Sequence, residues 1–70
     1  MRLTVNGEAR HTEAADLAAL FASEAEATGI GDARGVAIAV NGRVVRRRDW
    51  ETTAIREGDR VEIVRAMQGG

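Results

Sequence analysis

A chain of 70 residues with 44% apolar side chains and a formal net charge of −1 can build one small core but no walled catalytic cleft. A domain of this size buries only about 60% of the surface that its unfolded chain exposes. The apolar share is too high for a disordered chain, the near-neutral charge excludes a general polyanion binder, and the absence of cysteine removes any thiol nucleophile, thiolate ligand or disulfide.

No segment approaches the roughly 20 apolar residues of a membrane-spanning helix. Met1 is not followed by a basic stretch leading into an apolar one, so the expected location is the cytoplasm. The single histidine, His11, makes no metal site alone and has no neighbour that would make it a base. The charge is unevenly spread: residues 1–35 hold three Arg against six acids, and residues 36–70 hold seven Arg against five. All the basic residues are arginine, so the chain offers no ε-amino group to a partner's C-terminus and cannot build lysine-linked polymers of itself.

In chain order, Arg2-Leu3-Thr4-Val5-Asn6 predicts a first strand with Leu3 and Val5 on one face. Asn6-Gly7 predicts a tight hairpin, because both central positions of a type I′ turn need positive φ. A short return strand is expected over Glu8 to Thr12. A helix is expected from Ala14 to Thr28. Its apolar stripe is Leu17, Leu20 and Phe21, continued by Ala25 and Thr28, with Thr12 or Asp16 as its cap. Gly29 suits the C′ position, with Ile30 packing back on the last turn, and residues 31–35 form a loop. Val36, Ile38 and Val40 alternate as a third strand, turned at Asn41-Gly42 into a fourth over Arg43 to Arg46. Residues 47–55 show no consistent period and are anchored by Trp50 and Ile55. Gly58-Asp59 leads into a last strand from Arg60 to about Ala66, with Val61 and Ile63 on one face. This order requires the first and last strands to pair in the middle of the sheet, and it predicts an α+β domain with a mixed sheet packed on one main helix. Residues 1–66 are expected to form the domain and residues 67–70 a flexible tail.

The terminus is the most specific feature. Gly69 and Gly70 carry no Cβ, so the end of the chain can enter a channel too narrow for side chains. The Gly70 carboxylate is ionised at neutral pH and is a poor electrophile. An acyl-adenylate supplies a leaving group, after which a sulfur nucleophile can attack the carbonyl to give a thiocarboxylate. With no thiol in the chain, both the sulfur and the catalysis have to come from other proteins. Elsewhere, terminal glycines read as frayed ends. Directly after the last strand of such a domain, they read as the working group.

Other features read as structural. Arg46-Arg47-Arg48, with Arg43 nearby, is read as a charged edge that discourages strand pairing, and the run has no aromatic to stack on bases. Trp50 is read as core. Phosphate-cradling glycine loops and nucleophile–base pairs are missing, so the chain is expected to be a substrate of enzymes and not itself one.

AVNGRVV, then Arg48 and Trp50 (with Arg47 at the x-x spacing from the Trp), then GDRVEIVRAMQGG together resemble the ThiS family of thiamin-biosynthesis sulfur carriers, which are small ubiquitin-like, or β-grasp, proteins. The likeness spans the whole chain in order, with its specific part in residues 36–70. It implies that Gly70 is adenylated by an E1-like ThiF-type enzyme using ATP and then converted to a thiocarboxylate. The sulfur would derive from a cysteine desulfurase, and a ThiG-type thiazole synthase would receive it. Gly69 would be the penultimate glycine needed for entry into both partners. The chain itself would bind no cofactor, metal, nucleic acid or membrane. Rival readings are the small subunit of molybdopterin synthase, a carrier for tRNA thiolation or cysteine synthesis, and a protein modifier or pure interaction module.

Overall fold

Both Asn-Gly pairs turn the chain as their backbone freedom requires. Asn6 and Asn41 each have φ +52°, followed by Gly7 at +82° and Gly42 at +87°, the left-handed pair that matches the twist of a two-residue hairpin. A computed structural model of the protein describes residues 1–28 and 35–65. Its elements are β1 (Arg2–Val5), β2 (Glu8–His11), α1 (Leu17–Thr28), β3 (Val36–Val40), β4 (Arg43–Val45), a 3₁₀ helix (Arg47–Thr52) and β5 (Arg60–Arg65).

Among the described residues the strands form one sheet in the order β2-β1-β5-β3-β4. The first and last strands pair in parallel, Thr4 with Arg60 and Val5 with Val61. β5 also pairs antiparallel with β3, from Val40↔Val61 to Val36↔Arg65. The expected pairing of first and last strands is therefore found, and the arrangement is that of the β-grasp fold.

The helix packs on one face of this sheet. Leu3, Val5, Leu17, Leu20, Phe21, Ile38, Trp50, Ile55 and Val61 are buried together, and among the described residues no polar or charged side chain is buried. The alternation expected for β1, β3 and β5 and the helical stripe through Leu17, Leu20 and Phe21 both hold. Ala25 lies against this core. The Trp50 ring meets Phe21 at a centroid distance of 5.2 Å and an interplanar angle of 46°, a tilted aromatic contact of the favoured kind.

The helix begins three residues later than its sequence suggests, for a reason in the backbone. Leu17 N–H donates to the Thr53 carbonyl at 3.0 Å and Ile55 N–H to the Ala15 carbonyl at 3.2 Å, with an isolated bridge between Asp16 and Ala54. The segment before the helix is thus held extended against residues 53–55. Asp16 then caps the helix, its Oδ1 accepting from Ala19 N–H at 2.8 Å, while Thr12 Oγ1 accepts from Ala14 N–H in the preceding turn. The β2 strand ends at His11, although Thr12 still exchanges backbone hydrogen bonds with Met1. β4 ends at Val45, and residues 47–52, without a period in the sequence, wind into the 3₁₀ helix. Gly29, Ile30 and the expected tail from Met67 lie outside the described residues.

Arg10 ties β2 to the helix, with ion-pair distances of 3.0 Å to Glu8 and 3.3 Å to Glu24. The hydrogen bond to Glu8 and then the charge of Glu24 raise the pKa of its guanidinium, although the Glu8 pair, open to solvent, adds little stability. The stability lies in the core. Ile38→Ala is expected to cost about 2–5 kcal/mol in urea unfolding followed by Trp50 fluorescence. Val64→Ala, on the exposed face, should stay within about 0.5 kcal/mol of the parent. Coincident curves for parent and Ile38→Ala would place the core elsewhere.

Candidate functional site

β5 delivers the chain toward its terminus, so the site is built from this strand outward. Gly58, at φ +86°, turns the chain into it. The Asp59 carboxylate holds the turn by accepting from Arg56 N–H at 2.8 Å and from the Asn41 amide at 3.1 Å. From Arg60 the strand runs between β1 and β3 to Arg65. Five residues follow in the sequence, ending in Gly69 and Gly70. These two, the sequence-predicted site residues, lie outside the described residues.

The face of the sheet away from the helix carries small or apolar residues at Ala37, Ala39, Val44 and Val64, with the exposed Glu62 beside them. Ala37 stands opposite Val64, and Ala39 stands between Glu62 and Val44. Val44 is 76% exposed and Val64 59% exposed. These two valines receive no role from the sequence, because the outward positions of short strands give no periodic signal beyond that of their inward neighbours. The available clue is that apolar residues occupy both faces of β4 and β5, whereas a half-solvated antiparallel strand alternates apolar with polar.

Arg46, Arg47 and Arg48 are exposed at the start of the 3₁₀ helix. Among the described residues the ion pairs are those of Arg10, so this run forms none there. Trp50 is buried, and its Nε1–H donates to the Val45 carbonyl at 2.9 Å. The indole is therefore committed to the core and to the end of β4. His11 is exposed on β2. Among the described residues no group of three or more His, Asp or Glu is arranged to hold a metal ion, and no helix is long and apolar enough to cross a membrane. An open depression of about 270 Å³ lies between the two hairpin turns, lined by Thr4, Gly7, Gly42, Arg60, Val61 and Glu62.

Sequence reasoning also missed what the two turn asparagines do with their side chains. Asn6 Oδ1 accepts from Ile63 N–H at 2.8 Å, and its Nδ2 donates to the Ile63 carbonyl at 3.3 Å. Asn41 Oδ1 accepts from Arg60 N–H at 2.9 Å. The two asparagines of the hairpins thus hold β5 at its first residue, Arg60, and further along at Ile63. The signal was present but already explained: asparagine satisfies positive φ, which hides any second use of its carboxamide.

Comparison with known proteins follows the same lines as the topology. The family model described as the ThiS family matches residues 3–70, almost the whole chain and including both terminal glycines. The chain belongs to the ThiS family. The crystal structure of a thiamine biosynthesis protein (ThiS) from Geobacter metallireducens is similar over 100% of both chains, with a TM-score of 0.75 and 32% identity. A solution structure of a thiamine biosynthesis protein from the same organism aligns with 100% of this chain and 88% of its own, with a TM-score of 0.71 and 32% identity. No curated protein matches. Membership accords with the β-grasp order, and the ThiS family comprises small sulfur carriers.

In this ThiS-family chain Trp50 is expected to act on stability alone. Trp50→Phe keeps the contact with Phe21 but strands the Val45 carbonyl, at a cost of about 1 kcal/mol or somewhat more with the lost volume. Circular dichroism melting should show the lower midpoint, and an unchanged midpoint would show that the indole N–H contributes nothing.

Proposed function

We propose that this ThiS-family protein is the sulfur carrier of thiazole formation in thiamin biosynthesis, with Gly70 as the group that is activated and loaded. The observation that supports the reading most directly is a family match that runs through Gly69 and Gly70, on a fold whose last strand lies at the centre of the sheet.

The chemistry follows from the terminal carboxylate. A Gly70 oxygen attacks the α-phosphorus of ATP and pyrophosphate leaves, converting a poor electrophile into an acyl-adenylate. A hydrosulfide-level sulfur nucleophile then attacks the carbonyl carbon, AMP leaves with the bonding pair, and the chain ends in a thiocarboxylate. ATP belongs to the partner, an E1-like enzyme of the ThiF type. A cysteine desulfurase is the indirect source of sulfur, its persulfide being brought to the hydrosulfide level by two thiol equivalents that become a disulfide, and a thiazole synthase of the ThiG type accepts the sulfur from the thiocarboxylate. The domain and its tail have different tasks. The β-grasp core over residues 1–66 supplies a rigid surface to dock, and residues 67–70 supply reach. Gly69 keeps the last turn of chain free of side chains where it threads a partner's channel. The chain acts as co-substrate, in the cytoplasm where these partners work.

The open face of β3, β4 and β5 is the part of the domain that suits the adenylating enzyme. Val44, Val64 and the small Ala37 and Ala39 form an apolar strip on it, and apolar centres with polar rims are what protein interfaces bury.

Incubation with a ThiF-type enzyme, ATP and sulfide should raise the intact mass by the exchange of one oxygen for sulfur, localised to Gly70 by fragmentation. The chain shortened by Gly70 should melt like the parent and gain nothing. Equal loading of the shortened chain would overturn the assignment of Gly70, and a parent chain left unchanged by an enzyme active on another carrier would overturn the carrier reading.

A further inference from the structure

β5 is held unequally along its two sides. Its pairing with β3 persists to Val36↔Arg65. Its pairing with β1 stops at Val5↔Val61, because β1 turns away into the hairpin at Gly7. At the margins of this pairing, Thr4 N–H donates to the Asp59 carbonyl at 3.0 Å and Asn6 N–H, just past β1, donates to the Val61 carbonyl at 2.9 Å. Beyond them, Ile63 would present an unpaired N–H and C=O on that side. The Asn6 side chain takes both, at 2.8 and 3.3 Å. A carboxamide offers one acceptor and two donors in the geometry of a peptide group, so Asn6 extends β1 by one further peptide unit after the backbone has left. Aspartate would set a carboxylate oxygen against the Ile63 carbonyl, and glycine would leave both groups without a partner.

This clasp is the anchor nearest the chain end on the β1 side of β5 among the described residues. Gly70 follows Ile63 by seven residues in the sequence. We propose that Asn6 is a positioning residue for the terminal carboxylate: by fixing β5 at Ile63 it sets the direction from which the chain departs toward Gly70, and so its presentation to the adenylating enzyme. The inference rests on the carrier reading given above. Its physical basis is preorganisation. β3 holds one side of β5 as far as Arg65, and a second hold on the β1 side narrows the directions left to the strand end, which lowers the ordering cost when the terminus must meet ATP in line.

Asn41 provides the control that separates positioning from general stability. It makes a similar clasp on Arg60 and Asp59, but at the start of β5, away from the terminus. Asn6→Gly and Asn41→Gly both keep positive φ without strain and each removes one clasp. The experiment is ATP–pyrophosphate exchange by a ThiF-type enzyme with the full chain as substrate, at a temperature where circular dichroism shows every variant folded. Asn6→Gly should lower kcat/KM by about tenfold or more, since a misplacement of about 1 Å can cost about 10²-fold. Asn41→Gly should stay within about twofold of the parent despite a comparable loss in melting midpoint. Asn6→Asp, which retains the acceptor for Ile63 N–H, should fall between them. Amide hydrogen exchange at Ile63 should quicken in Asn6→Gly and not in Asn41→Gly.

Parent-like kinetics for Asn6→Gly, with the Ile63 amide shown to exchange faster, would overturn the proposal. So would an Asn41→Gly chain impaired as much as Asn6→Gly. A parent chain that supports no exchange would overturn the carrier reading, and this inference with it.

Discussion

The parallel pairing of β1 with β5 is the constraint on which the rest of this domain depends. It joins the two ends of the sequence through Thr4↔Arg60 and Val5↔Val61, and it places the last strand in the middle of the sheet with β3 on its other side. A parallel pair needs a long crossover to connect its strands. Here the crossover comprises everything from β2 to the Gly58 turn. The helix and the 3₁₀ segment pack against, and the second hairpin pairs into, a sheet whose centre is the last of the described elements in chain order. Leu3, Val5, Val61 and Ile38 come together on the helix face because of that pairing.

The segment that seemed least ordered in the sequence serves as the structural hinge between layers. Trp50, at the middle of the 3₁₀ helix, meets Phe21 from α1 and bonds to the end of β4. Three residues later, the backbone of Thr53 to Ile55 pairs with Ala15 to Leu17. A stretch without period is thus fixed by one large side chain and by backbone bonds to the entrance of the helix, neither of which produces a periodic pattern.

That contrast explains what was legible in the sequence. The two hairpins could be read because positive φ restricts residue choice locally, and β1, β3 and β5 because one buried face imposes a period of two. The Leu17, Leu20 and Phe21 stripe marked the helix, while its starting residue depended on a contact with residues 53–55, nearly 40 positions away. The β-grasp arrangement followed from element order together with the need to bury β5. Gly69 and Gly70, which the sequence singles out as the working end, lie outside the described residues. Asn6 as a clasp was not legible, since its partner, Ile63, is 57 positions distant and nothing local distinguishes a bonding carboxamide from one that only permits the turn.

The central position of β5 also has a consequence for the birth of the molecule on the ribosome. Contacts between residues near the start and near the finish of a chain are slow to form, because loop closure must come before any reward from packing. In this domain Val5 has no Val61, and Leu3 no completed core, until nearly all of the chain through Arg65 has emerged. Until then the first hairpin and the helix lack the strand that completes their core. The same stretch of synthesis that completes the sheet is followed within a few residues by Gly70. Completion of the fold is therefore a late event in synthesis, since the sheet lacks its centre until β5 is present.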